Sequence, residues 1–215
     1  MNTLTKLALG LLHQNRPRPA EGDGSQSLRL PPPRLDGGLP LMQALARRQS
    51  QRAFSPDPLD DATLADLLWA AGGVNRPDLG GRTAPSAMNA QEVVLYVAMP
   101  QGLYRYEPTV HELRRVVESD VRGVTGYQDF VDDAALDLIY VADHGRMGLV
   151  PASQRTAYAF AAAGAMAQNV YLACASAGLA TVARAWFDRE ALARAMNLAN
   201  DEQLLLAQTV GRPRT

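Results

Sequence analysis

Apolar residues recur along this chain with two periods. Leu64, Leu67, Leu68 and Ala71 share one face of a predicted helix, with Asp60 as its N-cap and Gly72-Gly73 as its stop. Trp69, beside that stripe, is assigned to packing. Val93 to Met99 is β-branched and apolar, which predicts a buried strand. Pro100-Gln101-Gly102 then turns the chain into a second strand, Leu103 to Tyr106, to give a hairpin. Thr109 to Ala135 has a mostly helical pattern with Leu113, Val116 and Val117 on its apolar face, and Leu136 to Ala142 is a third strand closed by Asp143. A long helix from about Ser153 to Ala177 is dense in Ala and Gly, which permits close approach of another helix; Gly178 is its natural end. Thr181 to Phe187 is partly extended, Asp188 caps a helix to about Asn197, and Gln203 to Val210 is a final strand.

Between these elements lie polar, Gly/Pro-marked stretches. Asn75 to Gly81 reads as a loop, and Asn15 to Asp36 as an irregular arm. The expected organisation is an arm over residues 1–36 and one domain over 37–215. Hairpin-linked strands interleaved with unequal helices predict an α+β fold. The regular βαβ alternation and Gly-rich phosphate loop of a dinucleotide fold are missing.

Composition narrows the function classes. A formal net charge of −1 over 215 residues gives no general attraction to nucleic acid. No apolar run approaches the roughly 20 residues of a membrane span, and Lys6 to Leu12 is too short for a signal peptide, so a reducing cytoplasm is the expected compartment. The single cysteine, Cys174, excludes an intrachain disulfide framework and reads as a small core residue. His13, His111 and His144 lack ligand spacing to one another, so no metal centre is expected. Lys6 is the only lysine among 21 basic residues, a bias put down to codon usage.

The richest chemistry lies at Arg48-Gln49-Ser50-Gln51-Arg52-Ala53-Phe54. Pro40 opens a short helix with Leu41, Leu45 and Ala46 on one face, and Arg48, Ser50 and Arg52 fall where it gives way to extended chain. Alternation there sends i, i+2 and i+4 to one side, so two guanidiniums and a hydroxyl can grip a phosphate. The residues alone leave that reading open beside a solvated basic helix end.

Three marks in order resemble the nitroreductase family of flavin mononucleotide (FMN) oxidoreductases: the Arg-x-Ser-x-Arg-x-Phe pattern at 48–54, Pro85-Ser86-Ala87-Met88-Asn89-Ala90-Gln91, and Gly164…Gln168-Asn169…Leu172 followed by Gly178-Leu179-Ala180-Thr181. The resemblance runs from Leu39 to Pro213. Leu30-Pro31-Pro32-Pro33, Gly102 to Tyr106 and Gln128-Asp129-Phe130 look like the sub-branch that includes peptide azoline dehydrogenases (SagB-type).

That resemblance implies an antiparallel-cored sheet flanked by helices, an intertwined homodimer, and FMN at each end of its interface. It implies that Arg48, Ser50 and Arg52 hold the phosphate side while Gln49 reaches along the cofactor. Asn89, on a loop shaped by Pro85 and Ser86, would come from the partner subunit to the ribityl chain or pyrimidine edge; the alternative reading of Asn89 is a helix or loop cap. Backbone N–H of Ala185 or Trp186 would face flavin N5, although related sequences often have glycine at the position of Trp186. Family members commonly continue past this C-terminus to supply a basic residue, and Arg212 or Arg214 is the expected substitute, the alternative being a solvated tail. Where azoline dehydrogenases carry a Lys-Tyr pair this chain has Ala152-Ser153. The expected activity is therefore NAD(P)H-dependent reduction of a small electrophile such as a nitroaromatic or quinone. A dehydrogenase of a peptide-derived or other small substrate, a non-catalytic FMN-binding protein and a structural dimer with an empty pocket remain the alternatives.

Overall fold

The computed structural model describes residues 2–11, 16–20 and 25–214. Its helices are α1 (Thr3–Leu11), α2 (Leu41–Arg47), α3 (Asp61–Gly72), α4 (Ala152–Ala177) and α5 (Arg189–Met196). Its strands are β1 (Arg18–Pro19), β2 (Ser27–Arg29), β3 (Val74–Arg76), β4 (Gly81–Arg82), β5 (Val93–Met99), β6 (Gly102–Glu107), β7 (Glu112–Val117), β8 (Ser119–Asp120), β9 (Leu136–Asp143), β10 (Ala180–Arg184) and β11 (Glu202–Gly211).

Seven strands form one sheet in the order β10-β11-β9-β5-β6-β7-β2, and every neighbouring pair is antiparallel. The sheet is buried on both faces, which is why β5 is apolar throughout and β9 is apolar but for Asp137 and Asp143, rather than alternating. One face carries α3 and α4, joined through Leu64, Leu68, Val97, Tyr140 and Val170. The other carries α5 through Ile139, Val141, Leu192 and Met196. The architecture is α+β with an antiparallel sheet between helical layers, as expected.

Caps follow the sequence. Asp60 accepts from the Thr63 N–H at 2.9 Å and Asp188 from the Ala191 N–H at 3.0 Å. Gly178 ends α4 at φ 69°, a conformation that glycine adopts without a Cβ penalty. Trp69 donates to the Val74 carbonyl at 3.1 Å, in keeping with a packing role.

Three expectations are corrected. The segment after Thr109 is not helical: Glu112–Val117 is a strand paired to β6, because Leu113 alone is fully buried while its neighbours Glu112 and Arg114 point elsewhere, a period of two. The stretch to Ala135 then continues in single 3-10 turns. The polar loop at 75–81 is a small hairpin, β3–β4, closed by Gly80 at φ 60°. The arm is not wholly irregular, since β2 pairs with β7 at the sheet edge and β1 with β8; Asn15 itself lies outside the described residues, as does His13. Lys6 of α1 is fully buried and ion-paired with Asp132. Among the described residues no helix is long and apolar enough to cross a membrane.

Candidate active site

α2 begins at Pro40 as expected, but its apolar residues face outward: Leu41 is 63% and Met42 74% exposed, while Ala44 is buried. At Arg48 the backbone leaves the helix with ψ 121°. The extended chain is then held along β10, with the Gln51 N–H donating to the Thr181 carbonyl at 3.0 Å.

Arg48 and Ser50 converge on Tyr171 of α4. The Arg48 guanidinium lies 5.3 Å from the Tyr171 ring centroid, and the Ser50 and Tyr171 hydroxyls are 2.9 Å apart. Tyr171 also accepts the Ala183 N–H at 2.9 Å. The phenol is therefore satisfied as an acceptor from β10 and shares one proton with Ser50. A cavity of about 410 Å³ opens beside it, lined by Arg48, Gln49, Tyr171, Cys174, Thr181 and Pro213. Burial pushes the Cys174 thiol up to about 12, which leaves it protonated and a poor nucleophile. Arg52, the next arginine along, is exposed and does not line this cavity. Among the described residues neither Arg48 nor Arg52 is ion-paired with a carboxylate.

The C-terminal tail runs past the same segment. Ser55 N–H donates to the Arg212 carbonyl at 2.9 Å and Arg214 N–H to the Ala53 carbonyl at 3.1 Å. The tail guanidiniums nonetheless meet carboxylates: Arg212 lies 3.6 Å from Asp60 and Arg214 4.0 Å from Asp133. Both pairs are half exposed, and such pairs contribute only about 0–1 kcal/mol.

At the far end of β10 the ladder with β11 stops at Arg184, so the amides of Ala185 and Trp186 lie beyond it. Arg184 anchors this end. Its guanidinium donates to Asp137 at 2.5 Å, to the Thr125 carbonyl at 2.6 Å and to the Thr209 hydroxyl at 2.7 Å. Asp137, fully buried, also accepts from the Thr125 hydroxyl at 3.0 Å. Burial pushes its carboxyl up, and the Arg184 charge opposes that shift. Trp186 is 54% exposed, its ring edge-on to Tyr127 at 5.3 Å.

Pro85, Ser86 and Asn89 are elsewhere. Their loop turns tightly, with Met88, Asn89 and Gln91 at φ 54°, 53° and 50°. Side chains carry three residues through that costly region. Ser86 accepts the Gln91 N–H at 2.9 Å, and the Gln91 amide donates to the Gly80 carbonyl at 2.7 Å and to Asn89 Oδ1 at 3.2 Å. Asn89 is exposed. A shallow cavity joins this loop to Tyr158, Ala161 and Ala162 of α4. Tyr171 is nine residues further on, roughly 14 Å along a helix axis. Within one chain the two groups of residues therefore stand at opposite halves of α4.

Sequence reasoning missed Tyr171 and the Asp137–Arg184 pair. A phenol inside an Ala/Gly-rich helix was the available signal for the first. Charges inside two otherwise apolar strands were the signal for the second. His111 and His144 are ordinary polar residues, bonded to the Tyr106 hydroxyl and the Gln203 side chain, each at 2.8 Å.

The structure is an α+β protein whose antiparallel sheet carries a long helix, with the Arg48 cavity beside one half of that helix and the Asn89-bearing loop near the other. Residues 45–212 match the Nitroreductase family, and the chain belongs to that family. It is 32% identical over 161 residues to a protein of Methanocaldococcus jannaschii named as a nitroreductase, covering 70% of this chain and 81% of that one. A crystal structure from Ralstonia eutropha, also named as a nitroreductase, is 50% identical with a TM-score of 0.90, covering 94% and 96% of the two chains. A third, from Desulfovibrio desulfuricans and solved in complex with FMN, shares the fold at 21% identity and a TM-score of 0.59, covering 83% and 89%.

Proposed function

We propose that this protein is an FMN-dependent oxidoreductase that takes hydride from NAD(P)H and passes it to a small electrophile of the nitroaromatic or quinone type. The observation that carries the reading is the meeting of Arg48, Ser50 and Tyr171 at the rim of an open cavity, with no carboxylate on the two arginines. Such a cradle suits the dianionic phosphate of FMN: Arg48 and Arg52 supply forked donors, and Ser50 turns its proton outward when Tyr171 donates to it. The FMN complex of the Desulfovibrio relative supports the choice of cofactor.

Phosphate contacts alone do not hold such a ligand. Three charge-assisted hydrogen bonds at about 1.5–3 kcal/mol each barely offset an association cost of about 4–15 kcal/mol. Burial of the ring must add the rest, and the cavity at Arg48 and the one at Pro85 and Ser86 share no lining residue. In our reading a second copy brings the two together. The outward face of α4 is small and apolar around Ala161, Gly164 and Ala165, and α2 adds exposed Leu41, Met42 and Leu45. A two-fold axis near the middle of α4 sets the loop of one chain against the arginines of the other. Asn89, with Pro85 and Ser86, then reaches the ribityl or pyrimidine side from the partner.

Bound FMN supplies a hydride acceptor and donor at N5. This chain's part is to bind, orient and shield. Gln49 would reach along the ligand, and the amides of Ala185 and Trp186, next to the anchored Arg184, would offer donors to the ring edge. Trp186 covers part of that edge and narrows what can approach. Arg212 and Arg214 can exchange their weak surface pairs for the phosphate. The test is an absorption spectrum of purified protein: flavin bands that bleach anaerobically on NAD(P)H support the reading, bands that persist leave a flavin-binding protein without turnover, and a colourless protein that takes up no FMN overturns it.

A further inference from the structure

We propose that a second cavity, between β4, β6 and the turn Asp143–Met147, is an anion-binding site for the phosphate or carboxylate group of a small molecule. It has a volume of about 230 Å³ and lies under Gln91, Val93 and Met166, away from Arg48 and Tyr171. Three guanidiniums from three separate elements line it: Arg82, Arg105 and Arg146. The only carboxylate in the lining is that of Glu107.

The existing partners leave donors over. Arg82 donates to the Gly72 carbonyl at 3.1 Å, which fixes it in place without neutralising it. Arg146 meets Asp143 at 2.9 Å and the Gln91 carbonyl at 3.2 Å. Arg105 lies 3.4 Å from Glu107, outside good hydrogen-bond geometry. The buried Nε atoms of Arg82 and Arg105 find no acceptor among the described residues. Burial lowers the Arg82 pKa, with Tyr106 and Glu107 opposing the shift and the nearby Arg146 charge adding to it. Like charges gathered in a half-buried cavity are costly unless an anion joins them. A planar fork on each arginine matches an oxyanion, so phosphate and carboxylate share the required chemistry.

The site does not depend on the flavin reading. Its two sources of ligand are a free oxyanion and the acidic group of a nucleotide donor. The experiment is a calorimetric titration of inorganic phosphate at low ionic strength into R48Q/R52Q protein, where the first cradle is disabled. Adding R105Q/R146Q is expected to weaken phosphate binding at least about tenfold, and E107Q, which removes the acid in the cavity lining, to tighten it about threefold. The opposite sign of E107Q keeps the test decisive if the double arginine variant fails to fold. Equal phosphate affinity with and without these changes, or none in any form, overturns the proposal. In protein with intact Arg48 and Arg52, R105Q/R146Q raising the KM for NADPH but not NADH assigns the nucleotide's phosphate. Unchanged KM values with lost phosphate binding assign a free oxyanion. Either result supports the site, and because the titration needs no flavin, a failure of the flavin reading leaves it intact.

Discussion

Two buried acids at opposite ends of β9 are treated in opposite ways. Under the Ala185–Trp186 end of β10, Asp137 takes donors from Arg184, Thr125 and Thr209. At the root of the Asn89 loop, Glu92 is equally buried, yet neither carboxylate oxygen has a hydrogen-bond partner among the described residues. The first end is complete within one chain, with its amides fixed and its cavity open. The second is held in shape by the Ser86 and Gln91 side chains and leaves Asn89 exposed. A finished half and an unfinished half are what the proposed site, shared between two copies, would require.

The comparison can be broken most strongly at its finished end. Asp137→Ala leaves the Arg184 charge buried and unpaired, and is expected to cost about 3–5 kcal/mol of stability in a denaturant titration. A loss under about 1 kcal/mol would show that the network does not anchor β10. R48Q/R52Q is expected to weaken FMN binding by about a hundredfold to a thousandfold, from the loss of charge-assisted bonds, with the melting temperature without ligand unchanged.

The unfinished end gives a smaller effect of opposite sign. Burial raises the Glu92 pKa above its ordinary 4.5, so the folded chain holds that proton more tightly than the unfolded one. Stability from this group is complete below pH 4.5 and is lost as pH rises through the raised folded value. E92Q should therefore stabilise the protein at neutral pH by about 1 kcal/mol, or about 2–4 °C, and should flatten the pH dependence above 4.5. A melting temperature that falls at neutral pH would mean that Glu92 has an ionised role. Smallest is R212A/R214A: FMN affinity should drop by about threefold to tenfold if the tail leaves Asp60 and Asp133 for the phosphate, and equilibrium dialysis showing no change removes the tail from the site.

Much of the fold was legible because its elements carry their own stops. Asp60, Gly72-Gly73, Gly178 and Asp188 bounded α3, α4 and α5 to within a residue or two. Glu112–Val117 was not legible, since six residues with two arginines at the centre satisfy a helical pattern as well as a strand, and only pairing with β6 decides. In the candidate site, Arg48 and Ser50 were readable as an alternating pair. Tyr171, which joins them to β10, lies 121 residues from Ser50, a separation across which local pattern has no reach. The outward turn of Leu41 and Leu45 was hidden for a related reason: periodicity identifies an apolar face but not whether the chain itself covers it.

The central claim, that each flavin site takes its arginines from one chain and its asparagine from another, is open to one direct measurement. Differently tagged R48Q/R52Q and N89A chains are co-expressed, the mixed dimer is isolated, and its FMN content is titrated. A shared site predicts one full-affinity FMN per mixed dimer, because one pocket combines the intact arginines with the intact Asn89. Two weak sites and no full-affinity FMN, or a protein that binds FMN tightly as a monomer, would contradict it.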